Sequence, residues 1–80
     1  MSKSESAESH YLAGVAAMEA EAYSKAELEF REAIWINPDF GEALRDIGWL
    51  LYGKYRKYNE GLLYLEKARI LDDSLAYLHM

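Results

Sequence analysis

One pattern in this chain occurs twice at a fixed distance, and few folds accommodate that. Tyr23, Ala26, Phe30, Ala33 and Ile36 advance in steps of three and four, which places them on one face of a helix. Tyr58, Gly61, Leu65, Ala68 and Leu71 advance in the same steps, each 35 residues after its counterpart. Gly14 and Gly48, each inside a helical pattern upstream, are 34 apart. A period in this range marks an array of helix pairs, in which each pair buries its apolar face by stacking on the next.

The local signals delimit the helices. Residues 1–5 are Ser-rich and charged and are expected to be a disordered tail, with the folded domain spanning residues 6–80. A first helix starts near Ser6 and runs to about Glu21. Its face of Ala13, Gly14, Ala16, Ala17 and Ala20 leaves little side chain between backbones, so a neighbouring helix can approach closely and Phe30 can fill the space left. Glycine in a helix costs about 1 kcal/mol relative to alanine, so Gly14 needs such a packing reason. Ser24 with Glu27 reads as a capping box opening a second helix, which Asn37-Pro38 closes at Ile36. Asp39 with Glu42 reads as another, opening a third helix from about Phe40 to Tyr55. The turn Gly53 to Asn59 is one residue longer than its counterpart. Asn59 caps a fourth helix ending near Leu71, Asp72-Asp73-Ser74 breaks it, and residues 75–80 begin a capping or further helix.

Helix pairs of this period, with small residues at these positions, resemble the tetratricopeptide repeat family. In the first repeat, residues 7–40, Gly14, Ala26, Phe30 and Pro38 agree with the family pattern, while His10, Ala13 and Ala17 stand where it has Trp, Leu and Tyr. In the second, residues 41–75, Ile47-Gly48 agrees and Leu44, Leu51, Gly61, Leu65 and Asp73 depart. Tyr23, Ala33, Tyr58 and Ala68 also agree with residues common in such repeats. The resemblance implies an all-α fold of antiparallel helix pairs stacked as a short right-handed solenoid. It implies, too, an adaptor or scaffold that holds a partner peptide or helix in a concave groove lined by the first helix of each pair. By that resemblance the groove is expected to be lined by Tyr11, Leu12, Val15, Met18, Arg45, Trp49 and Tyr52, an apolar and aromatic set with one cation. The alternative for Leu12 and Trp49 is that they pack on each other between repeats. The carboxylate clamp of one subgroup is excluded, because Tyr11, Val15 and Asp46 occupy its Lys and Asn places.

Trp35 and Ile70 fall off the buried series at matching places and are expected on the convex side. With Tyr55 they are the candidates for self-association, the alternative function, by end-to-end stacking or by helix exchange through the Gly53 to Asn59 turn. The unfinished pattern at residues 75–80 also fits a piece of a longer array. Lys54, Arg56 and Lys57 interleaved with Tyr55 and Tyr58 form a basic, aromatic turn, read first as a solvated loop and second as a site for a phosphate or acidic segment.

Composition excludes other classes. The net charge of −5 resides in residues 1–40, with three Lys/Arg against eight Asp/Glu, which argues against a nucleic-acid partner. No apolar run reaches membrane-spanning length, and Ser2-Lys3-Ser4-Glu5-Ser6 lacks the apolar core of a signal peptide. The absence of cysteine fits a reducing compartment, so the cytoplasm is the expected location. His10 and His79 are isolated and no nucleophile has an evident base, so neither an enzyme nor a metal or cofactor site is expected.

Overall fold

A computed structural model describes the backbone of residues 3–78 and the side chains of residues 6–72, and all regular structure among them is helical. Helix α1 spans Lys3–Glu19, α2 Tyr23–Ile36, α3 Gly41–Trp49 and α4 Tyr58–Leu78, with a π-helical turn at Leu50–Lys54 continuing α3. The all-α expectation therefore holds. Helix α1 packs along α2, α3 and its π turn pack along α4, and α2 also touches α3.

The two pairs are built on the same contact. A Cβ on Gly14 would lie 2.5 Å from Cε1 of Phe30, and one on Gly48 would lie 2.7 Å from Cγ of Leu65. Phe30 and Leu65 are the matching members of the repeated series, so each glycine admits the large side chain of its partner helix. Gly61 brings α4 still closer, since its Cβ would meet the Gly48 carbonyl oxygen and the Tyr52 nitrogen, each at 2.8 Å. Between the pairs lies one core cluster of Ala17, Ala26, Phe30, Ile47, Leu50 and Leu51, all buried. Tyr11, Val15, Met18 and Ile34 close around it.

Both connections between paired helices carry one residue in the left-handed region, closed by different hydrogen bonds. Ala22 N–H donates to the Ala17 carbonyl at 2.8 Å and Glu21 N–H to that of Met18 at 3.0 Å, a Schellman ending with Glu21 in the left-handed region at φ 60°. Arg56, 35 residues later, has φ 55°. There Lys57 N–H reaches back to the Leu51 carbonyl at 2.8 Å and Tyr55 N–H to that of Leu50 at 3.3 Å. The repeat offset is 34 residues at the glycines and 35 from the turn onward, and the extra residue is taken up by the π turn.

Several boundary expectations are corrected. The third helix is not α-helical to Tyr55, because of that inserted residue. Helix α1 begins at Lys3, before Ser6, and ends at Glu19. Neither capping box forms. The residue before α2 is Ala22 and the one before α3 is Phe40, both without a side-chain cap. Ser24 Oγ lies 3.5 Å from the Tyr55 hydroxyl, and Glu27 accepts from Arg31 at 2.9 Å. A tertiary partner faces Ser24 and a neighbour one helical turn on takes Glu27, so neither group serves the local motif. The Asn37-Pro38 stop holds, with Asn37 extended at φ −131° and its Oδ1 accepting from Asp39 N–H at 3.2 Å.

Asp72-Asp73-Ser74 does not break α4, which continues to Leu78. Asp and Ser each cost well under about 1 kcal/mol in a helix, and no Gly or Pro is present to stop it. The expected separate helix at residues 75–80 is thus a continuation of α4 as far as 78, and His79 and Met80 lie outside the described residues.

Candidate functional site

The residues expected to line a groove divide into three groups. Val15 and Met18 from α1 meet Trp49 from α3 across a shallow cleft of about 210 Å³, floored by Phe30 and edged by Glu19 and Asp46. Trp49 is 58% exposed and makes an edge contact with Tyr52 at 6.1 Å, and Tyr52 makes another with Tyr58 at 5.0 Å. The three rings form an exposed ladder leading from the cleft over the π turn. Tyr58 was not among the expected groove residues. It joins them because the inserted residue brings the start of α4 against Tyr52.

Tyr11 has a different role. Its ring packs against Phe40 at 5.0 Å and Phe30 at 5.9 Å, and its hydroxyl donates to Asp46 Oδ2 at 2.9 Å. Burial among these rings, then the hydrogen bond to Asp46, push the hydroxyl up to about 12. Tyr11 is a strut between α1 and α3. Arg45 reaches outward, with its Nε 3.6 Å from Asp46 Oδ1. Leu12 is exposed and lies outside this cleft.

The self-association candidates also separate. Trp35 is 83% exposed and Ile70 is exposed, whereas Tyr55 is half-buried against the core with its hydroxyl near Ser24. In the basic turn, Lys54 Nζ sits 5.0 Å over the Tyr23 ring and Lys57 Nζ 5.8 Å over Tyr55. Two of its three cations are therefore engaged with aromatic faces of the fold.

Sequence reasoning missed the polar clamp between the pairs. Arg31 on α2 donates to Glu27 on its own helix and, across to α4, to Glu60 Oε1 at 2.8 Å and the Tyr64 hydroxyl at 3.2 Å. The guanidinium hydrogen bond holds the Glu60 carboxyl below the usual carboxylate range. The Glu27–Arg31 spacing of one helical turn was a visible signal, but the partners 29 and 33 residues away were not.

A second, larger crevice of about 810 Å³ runs between the start of α3 and the middle of α4, with Gly41, Glu42 and Arg45 on one wall and Leu65, Ala68 and Leu71 on the other. No three His, Cys, Asp or Glu side chains among the described residues come together as metal ligands do. No described helix is long and apolar enough to cross a membrane. The chain matches no protein-family model, no curated protein and no solved structure.

Proposed function

We propose that this chain is a protein-interaction module of tetratricopeptide type, a short right-handed stack of two helix pairs that takes an apolar or aromatic peptide segment between α1 and α3. The observation that carries the reading is Trp49, more than half exposed at the lip of an apolar cleft with Val15 and Met18 beneath it and Tyr52 and Tyr58 extending it. Interface energy concentrates in Trp, Tyr and Arg anchors seated in such clefts. The reading involves no catalysis, cofactor or metal, no nucleic acid and no carboxylate clamp, and it places the module in the cytoplasm.

A displayed random-peptide library selected on the immobilised chain tests it. Peptides with aromatic or large apolar residues should emerge and lose binding to Trp49→Ala, whose circular dichroism stays that of the parent. Selection that yields no such peptide, or peptides indifferent to Trp49→Ala, contradicts the reading. A second reading, end-to-end self-association, is favoured by the larger crevice on the α3–α4 pair.

A further inference from the structure

The crevice between α3 and α4 has a counterpart within the same molecule. In the first pair the groove between α1 and α2 is filled by α3 and its π turn, which contribute Ala43, Ile47 and Leu50 as buried residues and join α1 through Tyr11 and Asp46. The equivalent groove of the second pair is the open crevice of about 810 Å³, walled by Leu65, Ala68 and Leu71. At the 34-residue offset of the glycines, the counterparts of Ala43, Ile47 and Leu50 are Ser9, Ala13 and Ala16 on α1. Ser9 and Ala16 are exposed, so α1 presents outward the helix face that α3 turns inward.

The ion pair that ties the pairs together has its counterpart as well. Arg31 holds Glu60 at 2.8 Å. Displaced by the 35-residue offset of the second helices, these positions are Glu66, exposed on α4, and Lys25, exposed on α2. The charges are complementary again, with the signs exchanged. Lys25 makes no ion pair among the described residues, and Glu66 has only a loose one with Arg69 at 3.8 Å. The counterpart of Tyr64 is Glu29, which is already turned to His10 at 3.4 Å. Net charge favours the same geometry. A symmetric contact of two first pairs would set −5 against −5, whereas a head-to-tail contact sets the acidic pair on the balanced one.

We infer that the open α3–α4 crevice is a docking site for the α1–α2 pair of a second copy of this chain, in the register of the internal interface, with Lys25 of the incoming copy paired to Glu66. The inference rests on the self-association reading and is independent of peptide binding at Trp49. A heterologous contact of this kind leaves one free groove and one free α1 face on every assembly, so growth is open-ended unless the rotation closes a ring.

Sedimentation velocity on the full chain from micromolar to millimolar concentration tests it, with circular dichroism confirming the fold of each variant. The parent should grow with concentration beyond a dimer. Lys25→Glu and Glu66→Lys should each weaken association about fivefold, the effect of losing one surface ion pair, and the double exchange should restore it. Ala16→Arg, at an exposed position, should leave a monomer. A parent that stays monomeric throughout overturns the inference. So does a closed dimer, or an association that the two charge reversals and Ala16→Arg leave unchanged. Loss of self-association with peptide capture intact would remove this inference alone.

Discussion

Glu21 and Arg56 are the residues whose backbones pay most for the turns between paired helices. Each sits in the left-handed region, where an L side chain costs about 1–2 kcal/mol that glycine avoids. Glycine also loses more chain entropy on folding, so Glu21→Gly and Arg56→Gly should each stabilise by about 0.5–1 kcal/mol, read as a shift in the urea midpoint. No shift, or a loss, would contradict the left-handed backbone at these two positions. Tyr11 gives a second residue-scale prediction. Its folded hydroxyl titrates above its ordinary 10, at about 12, so its contribution is complete below pH 10 and is lost as pH rises through 12. Unfolding free energy measured across that window should fall more steeply for the parent than for Tyr11→Phe. Equal slopes would contradict the Asp46 bond. What could be read in advance at this scale was the steric logic of Gly14 with Phe30, because both lie in a repeated series. The cap motifs misled, because Ser24 faces Tyr55, a partner that no local window contains, and Glu27 is taken by Arg31 one turn along its own helix.

Helices are joined across the pairs by the Arg31 clamp, and the clamp makes a prediction about α2 and α4. Both carboxylate partners are partly exposed, so a double-mutant cycle of Arg31→Met with Glu60→Gln should give a coupling of about 0.5–1 kcal/mol. Since the Glu60 carboxyl is held low, its contribution is present above the ordinary carboxylate value near 4.5 and is lost as the solution is acidified below it. A coupling near zero, or one that survives full protonation, would contradict the geometry. Element boundaries were less legible than element identities. Helix existence followed from the three-and-four spacing, and the Asn37-Pro38 stop followed from proline sterics. The π turn had one trace in the sequence, the change of offset from 34 to 35 residues between Gly48 and Tyr58. Whether a loop or a helix absorbs such an insertion depends on packing, here on Gly61 pressing against Tyr52. Continuation of α4 through Asp72-Asp73-Ser74 went the other way, because weak helix formers in a long helix are carried by their neighbours.

The whole molecule is a pair of similar halves with a small shared core and two open crevices. Eighty residues bury little more than about 60% of the surface of the unfolded chain, so each further contact weighs heavily in its stability. The groove expected from seven residues became a cleft of three, Val15, Met18 and Trp49, with an aromatic ladder beside it, because Tyr11 is used to join the helices and Arg45 and Leu12 point elsewhere. Which side chains a repeat spends on its own stacking is set by side-chain size at the contact, and periodicity alone does not specify it. Trp49 and Trp35 provide a matched pair for deciding whether the cleft is the binding face. Both are exposed tryptophans, one at the cleft and one on α2 outside it. Isothermal titration of a selected peptide into the parent, Trp49→Ala and Trp35→Ala is the most direct measurement. The account predicts that Trp49→Ala loses about 2 kcal/mol or more, roughly thirtyfold in Kd, while Trp35→Ala binds as the parent does. Full affinity in Trp49→Ala, or an equal loss in Trp35→Ala, would contradict it.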